Sequence, residues 1–271
     1  MQTLQICIIN LKEVVMSYAI NLLPVIPMRK ESTHRSEMVS QLLFGEYAQV
    51  LEEKEDFVRI LSMYDQYEGW VQTNQLTLIE EVGLMQTHEF LNCWQQEVIV
   101  NGITTHIPFG CPVYKHAENA KLAFGNSLVE YKSSEVWDSR QAIFNEEMLK
   151  KAYSNYLNTP YFWGGKSVFG IDCSGFAQQV FKLFGVSLLR DAYQQATQGT
   201  AVATLAESAM GDLAFFCNEQ GRITHVGILL RVGKIVHASG KVRIDPIDDE
   251  GITSCDTGRR THKLHSIRRF F

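Results

Sequence analysis

The sequence lacks several features that would assign it to a large functional class. Its six cysteines lie far apart, with no CxxC pair and no local cluster of Cys and His at metal-ligand spacing, so we expect no metal site and no other cofactor. Scattered thiols fit a reducing compartment better than a disulfide framework. Basic residues are not in excess either, and the net charge of −5 at pH 7 argues against a nucleic-acid partner. The one dense basic cluster, residues 259–269, is expected to be a solvated terminal strand.

Long apolar runs are also missing. The apolar stretch at residues 4–11 follows no basic residue, and Lys12 and Glu13 come directly after it. It is a poor signal peptide and too short to span a bilayer, so we expect cytoplasmic residence, with a periplasmic or exported location as the alternative. Hydrophobic residues at 45% and charged residues at 20% indicate a globular chain. At roughly 100 to 200 residues per domain, its length suits two or three domains.

The first half of the chain has the pattern of short strands. Apolar runs separated by polar turns predict strands at residues 19–25, 41–43, 47–51, 57–62 and 69–71. Residues 82–136 form a weaker second copy, because Phe44-Gly45 and Phe124-Gly125 each follow an apolar run and precede a strand. A helical period then begins at residues 146–157. We predict domains at residues 17–80, 81–137 and 138–271, the first two being small all-β barrels.

Cys173 is the residue most clearly placed to react. A glycine-rich, aromatic approach through residues 159–172 ends at this cysteine, and an apolar helix over residues 176–186 follows until Gly185 interrupts it. A thiol in the first turn of a helix feels the partial positive charge of unpaired backbone N–H groups, which favours the thiolate. The sequence therefore predicts a cysteine nucleophile here.

Two histidines downstream could supply the base that a cysteine nucleophile needs. His225 begins one strand-like run, and His237 ends the next, with a turn at Val232-Gly233 between them. The two strands predict a hairpin that carries both rings. A two-residue turn would, however, pair His237 with Ile228 and put the rings on opposite faces, so a bulge or longer turn must correct the register if they touch.

These segments together resemble the NlpC family of papain-like cell-wall cysteine peptidases over residues 141–271. The motifs that carry the resemblance are Pro160-Tyr161-Phe162-Trp163-Gly164-Gly165, Asp172-Cys173-Ser174-Gly175-Phe176, Gly211-Asp212-Leu213-Ala214-Phe215-Phe216, His225-Val226-Gly227-Ile228 and Ile235-Val236-His237-Ala238-Ser239. By this resemblance Cys173 is the nucleophile, His225 the base and His237 the residue that orients the base. The implied fold is an α+β papain-like domain, with N-terminal helices packed on an antiparallel sheet.

The region ahead of this domain resembles a tandem of bacterial SH3-like barrels. The first copy matches to its closing Tyr67-Glu68-Gly69-Trp70-Val71, whereas the second lacks the Gly-Trp ending. Such barrels ahead of such a domain resemble dipeptidyl-peptidase VI-like enzymes, which are γ-D-glutamyl-L-diamino acid endopeptidases. This implies release of L-Ala-γ-D-Glu from peptidoglycan stem peptides with a free N-terminal L-Ala, as in murein peptide recycling. The implied partner is a peptidoglycan-derived peptide, with no nucleic acid and no membrane span.

The resemblance also implies roles for residues around the nucleophile. The Cys173 backbone N–H and the Tyr161 hydroxyl are expected to stabilise the oxyanion, with Trp163 as a wall. The other expected substrate contacts near the nucleophile are Asp172, Ser174, Arg190 and Asp191. Arg190 and Asp191 could instead form a local salt bridge. Glu37 and Tyr67 of the first barrel are expected to meet the substrate amine, with Glu31, Glu68 and Tyr64 as competitors.

Two other functions stay open at this level. The same Cys-His-His group could serve an amidase or acyltransferase on another substrate, because one fold hosts several acyl-transfer chemistries. The barrels could also belong to a non-catalytic cell-wall-binding protein. Within the peptidase reading, the sequence does not distinguish diaminopimelate from lysine at the diamino acid position, and it does not give the oligomeric state.

Overall fold

The computed structural model describes residues 17–80, 87–114, 121–132 and 135–271. The apolar stretch at residues 4–11 and the first residues of the predicted second domain, 81–86, lie outside these ranges. Within the described residues the chain is mostly β-sheet, with three α-helices. None of those helices has the length and apolar character needed to cross a membrane.

The first sheet is antiparallel and contains seven strands, in the order β3-β2-β6-β5-β4-β1-β7. Its strands are β1 (Ser17–Ile20), β2 (Val25–Arg29), β3 (Met38–Leu43), β4 (Tyr47–Lys54), β5 (Phe57–Ser62), β6 (Glu68–Gln72) and β7 (Thr77–Ile79). The prediction of one strand over residues 19–25 is wrong. The Asn21 side chain accepts a hydrogen bond from the Leu23 N–H and donates to the Leu42 carbonyl, which turns the chain between β1 and β2.

The second region contributes a four-stranded sheet and a two-stranded one. Its strands are β8 (Glu89–Leu91), β9 (Gln95–Val100), β10 (Ile103–Pro108), β11 (Lys121–Phe124), β12 (Ser127–Tyr131) and β13 (Val136–Asp138), paired as β10-β9-β12-β11 and β13-β8. Phe124-Gly125 closes a hairpin between β11 and β12, whereas Phe44-Gly45 connects β3 to β4, which are not neighbours in their sheet. The two Phe-Gly turns look equivalent in sequence, but only the second one joins strands that are neighbours in their sheet.

The C-terminal region packs helices against a second seven-stranded antiparallel sheet, of order β16-β22-β17-β18-β19-β20-β21. The helices are α1 (Glu146–Ser154), α2 (Cys173–Lys182) and α3 (Ala192–Gln195). The strands are β14 (Lys166–Ser167), β15 (Gly170–Ile171), β16 (Thr200–Val202), β17 (Leu213–Cys217), β18 (Ile223–Arg231), β19 (Lys234–Ser239), β20 (Lys241–Asp248), β21 (Gly251–Thr253) and β22 (Arg260–Arg269).

Helix α2 is the centre of this region. It lies against β18 and β19, and all ten of its residues are buried. It ends at Lys182, earlier than the predicted residue 186, and Gly185 follows with φ of +74°. The basic terminal strand β22 is solvated as predicted, with Ile267 as its one buried residue, and it pairs with β16, β17 and β21, which brings His262 against His225. The sheet therefore faces the helix that begins at Cys173.

Candidate active site

Cys173 is held at the first position of α2 by the residue that caps the helix. One oxygen of the Asp172 carboxylate accepts from the Gly175 N–H at 2.6 Å, and the other accepts from the Gly164 N–H at 2.9 Å. A Cβ atom on Gly175 would lie 2.4 Å from the Gly165 carbonyl oxygen, so only glycine lets the loop cross the helix this closely. The Asp172 cap thus fixes the nucleophile loop and the helix start together.

The thiol of Cys173 is buried, and this decides its protonation state. Burial, with a further contribution from Asp172, raises its pKa to about 12, although the backbone N–H groups of Val226 and Ser174 act to lower it. The expectation that the helix start would favour a thiolate is therefore wrong, because the desolvation cost outweighs the helix-end field. The resting residue is a neutral thiol and needs a base to ionise.

His225 and His237 lie side by side on the sheet. A bulge between Leu229 and Arg231 shifts the hairpin register, so that His237 pairs with Gly227 instead of Ile228. Residues 225 and 227 share a face of β18, and the correction that the sequence required is present. The Nε2 of His225 and the Nδ1 of His237 are 2.8 Å apart, and both rings are buried.

Asp245 on β20 continues this hydrogen-bonded chain and was not predicted. Its Oδ2 lies 3.1 Å from the Nε2 of His237, while its Oδ1 accepts from Arg243 and from the Cys255 N–H, each at 3.0 Å. Burial acts to raise the pKa of Asp245, but these hydrogen bonds lower it below its usual range. The sequence signal was slight: an acid eight residues beyond His237 on the adjacent strand.

The ionised Asp245 assigns the tautomers of both rings. A carboxylate can only accept, so the Nε2 of His237 carries its proton and the Nδ1 accepts from the Nε2–H of His225. The Nδ1 of His225 is then left without a proton. With one proton on each ring, the pair has one basic nitrogen, the Nδ1 of His225, which could take a proton from a thiol.

His262 on β22 stacks on His225, with ring centroids 4.1 Å apart and the planes inclined by 27°. Burial lowers the pKa of His225 well below its usual value of 6.5, and the neighbouring His262 and His237 lower it further. Burial likewise lowers the pKa of His262 to about 4. The sequence placed His262 only in a basic cluster, because nothing local shows that β22 pairs with β17 and β21 and so brings His262 against His225.

These three histidines are also a group that could hold a metal ion, since their ligand nitrogens lie within 4.8 Å of one another. No Cys/His spacing in the sequence indicated this group. His237 uses both ring nitrogens in its hydrogen bonds with His225 and Asp245. A metal ion would have to break that chain, so these residues fit a proton-transfer arrangement better than a metal site.

Arg190, Asp172 and Ser174 bind one another instead of projecting into solvent. The Arg190 guanidinium, 1% exposed, donates to both Asp172 oxygens, at 3.1 and 2.6 Å, and to the Ser174 hydroxyl at 2.9 Å. Its Nε donates to the Ser40 hydroxyl of β3 at 3.0 Å. The alternative salt bridge would have joined Arg190 to Asp191, but the guanidinium binds Asp172. Arg190 therefore connects the helix cap to the first sheet.

A cleft of about 560 Å³ lies beside Cys173, between the first sheet and the C-terminal region. Apart from the buried His225 and His237, nine site residues were predicted, and eight of them line the cleft. These are Glu37, Tyr67, Tyr161, Trp163, Asp172, Cys173, Ser174 and Asp191. Arg190 is the exception and lies behind the wall. Burial raises the pKa of the Tyr161 hydroxyl, and the nearby Cys173 and Asp172 raise it further, so this group stays a donor.

Two carboxylates face this cleft from different parts of the chain. The Tyr67 hydroxyl donates to Asp191 at 3.2 Å, and burial raises the pKa of Asp191. The Trp163 indole N–H donates to Glu37 at 2.8 Å. Of the competing residues, Glu68 also lines the cleft and pairs with Arg59, as Glu37 pairs with Lys30, whereas Tyr64 does not line it.

The first sheet is held against this site by close contacts. A Cβ atom on Gly164, whose φ is +75°, would lie 2.6 Å from the Met38 carbonyl oxygen of β3. The Lys166 N–H donates to the Gln41 side chain at 2.8 Å, and Gln178 donates to Asp65 at 3.0 Å. The loop ahead of the nucleophile thus packs directly on the first sheet.

Comparison with known proteins identifies the family to which the chain belongs. Residues 158–261 match the NlpC/P60 family, and residues 28–76 match the bacterial dipeptidyl-peptidase Sh3 domain. A γ-D-glutamyl-L-lysine dipeptidyl-peptidase of Bacillus subtilis is 33% identical over 218 residues, covering 73% of this chain and 71% of that protein. The chain belongs to the NlpC/P60 family. It is accordingly a cysteine peptidase, and its resemblance to that family and to bacterial SH3-like domains is confirmed.

Other members of the NlpC/P60 family share the architecture. A γ-D-glutamyl-L-lysine dipeptidyl-peptidase of Bacillus cereus is 26% identical over 264 residues, which cover 85% of this chain and 77% of the relative. The crystal structure of an NlpC/P60 family protein from Bacillus cereus superposes with a TM-score of 0.76 at 20% identity, over 93% of this chain and 99% of that one. An NlpC/P60 endopeptidase from Photobacterium damselae gives 0.70 at 16% identity, over 92% and 70%. These superpositions support a common fold.

Proposed function

We propose that this peptidase hydrolyses the bond between γ-D-glutamate and the diamino acid of peptidoglycan stem peptides that carry a free N-terminal L-Ala. The product is L-Ala-γ-D-Glu, as in the recycling of murein peptides. The names of the Bacillus relatives support this substrate class. The observation that carries the proposal is the position of Glu37 and Asp191 on the wall of the cleft that also contains Cys173.

The two carboxylates suit the terminal ammonium of the substrate. Moving this ammonium out of water without an anionic partner would cost several kcal/mol of binding free energy. Asp191 and Glu37 each have oxygens that can accept from it, and Tyr67 holds the Asp191 carboxylate in place. An N-substituted stem would lose this charge pairing and would have to fit its added group in the same space.

Cleavage begins with deprotonation of the Cys173 thiol by the Nδ1 of His225. As the sulfur attacks the carbonyl carbon, His225 becomes an imidazolium whose Nε2–H is held by His237, and Asp245 stabilises the positive charge through the same chain. Because burial raises the pKa of the Cys173 thiol and lowers that of His225, proton transfer accompanies attack. His237 and Asp245 act by positioning and charge, and they do not contact the substrate.

The tetrahedral oxyanion needs donors that are already in position. The Cys173 backbone N–H, at the helix start, and the Tyr161 hydroxyl are the proposed donors. His225 then protonates the leaving amine of the diamino acid, and the C–N bond breaks to leave a thioester on Cys173. Water, deprotonated by His225, hydrolyses the thioester and restores the thiol.

The remaining sequence-based assignments complete the proposal. We interpret residues 17–80 and 81–137 as two SH3-like barrels and residues 138–271 as a papain-like domain in which α2 packs on the antiparallel sheet. A role in peptide recycling fits a cytoplasmic location. Recognition of the diamino acid itself has no assigned residues, so both diaminopimelate and lysine peptides belong in the assay.

The test compares the free tripeptide L-Ala-γ-D-Glu-diaminopimelate with its N-acetylated form, using the wild-type enzyme. We expect cleavage of the free peptide, with L-Ala-γ-D-Glu identified by mass, and a kcat/KM at least ~100-fold lower for the acetylated peptide, because one ion pair is lost and a group is added. Equal cleavage of the two would contradict amine recognition while leaving the peptidase chemistry intact. Cleavage of neither, together with turnover of a simple amide, would contradict the proposed substrate class.

A further inference from the structure

A small pocket lies on the C-terminal region, between helix α1 and the hairpin of β18 and β19. Its volume of about 220 Å³ is below the roughly 300 Å³ at which pockets for drug-sized ligands begin, so it suits only a small molecule. Arg231, which lines this pocket, lies six residues beyond His225 on β18, or about 20 Å at about 3.3 Å per residue. The pocket is therefore separate from the cleft. We call it the α1 pocket.

The floor of the α1 pocket is apolar, apart from one hydroxyl. Four side chains at the margin of the C-terminal core form it, namely Leu149, Met210, Leu230 and Ile244. Tyr153 also lines the pocket and is only 7% exposed. Its hydroxyl makes no hydrogen bond with any described residue, yet it is not among the fully buried atoms that lack a partner, so it keeps accessible surface. This hydroxyl is therefore a donor that a molecule in the pocket can reach.

Three exposed cations, Lys150, Arg231 and Lys234, stand at the rim of the pocket. Arg231 and Lys234 are direct cross-strand partners at the end of the hairpin, where two like charges destabilise the pairing. Lys150 lies three residues before Tyr153 and so on the same face of α1. None of the three side chains forms an ion pair or a hydrogen bond with any described residue.

Acidic side chains do not balance these cations. Glu146 is the only acid among the described residues that line the pocket. It lies four residues before Lys150 on α1, but no ion pair joins the two. Asp245 and Asp248, the acids of the neighbouring strand β20, are each paired with an arginine instead. Three cations against one acid leave an excess of two positive charges around this pocket, in a chain whose net charge is −5.

We propose that the α1 pocket is a binding site for a small phosphate monoester, whose phosphoryl group lies among the three cations and whose organic part covers the apolar floor. Such a group carries roughly −1.5 to −2 charges at pH 7 and has three acceptor oxygens, so it matches the charge excess and the number of cations. The Arg231 guanidinium can bind two of these oxygens at once, and the Tyr153 hydroxyl is a further donor. A carboxylate would offset only one of the two excess charges. This proposal does not depend on the proposed function.

The test is calorimetric titration of the intact protein with phenyl phosphate at pH 8, where this ligand is a dianion because its second pKa is about 6. Benzoate, which has the ring but a single charge, and inorganic phosphate, which has the charge but no ring, are titrated separately at the same ionic strength. We expect one phenyl phosphate to bind per chain, at least ~tenfold more tightly than either of the others. Absence of saturable binding, or equally tight binding of benzoate or inorganic phosphate, would overturn the proposal.

Arg231→Met locates the bound anion. It should weaken the binding of phenyl phosphate by about tenfold or more, because a charge-assisted hydrogen bond is lost. The matched control is Arg222→Met, which removes an exposed arginine beyond the other end of β18, outside the pocket, and should leave binding unchanged. Both side chains are exposed, so we expect both variants to fold. Wild-type affinity in Arg231→Met, or an equal loss in both variants, would contradict the site.

Glu146→Gln gives the opposite sign. Removing the one acid at the rim should tighten the binding of phenyl phosphate by about two- to fivefold, because a like charge no longer opposes the anion. Glu147→Gln, which changes an exposed neighbour that does not line the pocket, should have no effect. Tyr153→Phe should weaken binding by roughly two- to tenfold, the value of one hydrogen bond. Weaker binding in Glu146→Gln, or wild-type affinity in Tyr153→Phe, would count against the proposal.

Discussion

The polar groups of the Cys173 side and of the first-sheet side of the cleft are organised in different ways. Cys173, His225, His237 and Asp245 come from one helix and three consecutive strands, and the two histidines and the acid form a buried chain. On the other side, Glu37 bonds Trp163, which lies 126 residues further along the chain, and Tyr67 bonds Asp191, which lies 124 residues further along. Glu37 also stays half exposed. Under the proposed function, we therefore expect that bond cleavage and substrate choice can be altered separately.

The largest effect should come from Cys173→Ala. Without the thiol no thioester can form, so kcat for the free tripeptide should fall by ~10⁴ or more. Product release followed by chromatography measures it, and Cys217→Ala, which changes a half-buried thiol on β17, is the control. Substantial residual turnover in Cys173→Ala, with Cys217→Ala unaffected, would show that another group attacks the substrate.

Asp245→Asn should reduce kcat by roughly 10² to 10⁴, because an amide can donate to His237 and so disturb the tautomer that leaves His225 basic. KM should change little, since Asp245 does not line the cleft. Asp248→Asn, on the same strand but exposed and paired with Arg260, should leave both parameters unchanged. An equal loss in the two variants would point to damage to β20 instead of the hydrogen-bonded chain.

Glu37→Gln should alter substrate binding on the first-sheet side of the cleft. KM for the free tripeptide should rise by about tenfold, the value of roughly 1.4 kcal/mol of lost ion pairing, with kcat largely retained. The preference over the N-acetylated peptide should fall in parallel. Glu68→Gln is the matched control, because Glu68 also lines the cleft and, like Glu37, pairs with a basic side chain. If only kcat falls in Glu37→Gln, the residue serves the chemistry and not the amine.

The smallest effect should come from His262→Gln. In the wild type, burial and the nearby His262 lower the pKa of His225, so its neutral, basic form persists below pH 6.5 as the pH falls. Replacing His262 removes one of these causes and should raise that pKa. The acid limb of the profile of kcat/KM against pH should then move upward, by less than about one unit. His265→Gln, exposed on the same strand, should leave the limb in place.

The sequence could predict those features that are determined by residues close together in the chain. Cys173, His225 and His237 lie in short motifs that also define their strands or helix, so the residues beside them carried enough information. The register of the hairpin depended on a bulge between Leu229 and Arg231, which no turn residue announces. The raised pKa of Cys173 depended on burial by the whole domain, which a helix-end argument omits.

Features that depend on distant packing were missed or assigned wrongly. Asp245 and His262 meet the histidine pair only because β20 and β22 take their places in the sheet. Arg190 was expected to contact substrate, but the fold turns it toward Asp172 and toward Ser40, behind the wall of the cleft. Polar residues near a nucleophile look alike in sequence whether they bind substrate or hold the loop, because only burial and partners distinguish them.

The close approach of Gly164 to the Met38 carbonyl has an evolutionary consequence. The loop that leads to the nucleophile was shaped against one particular strand of another module, with no room for a side chain between them. A barrel acquired from elsewhere by recombination would need the same backbone path at Met38 to be accepted.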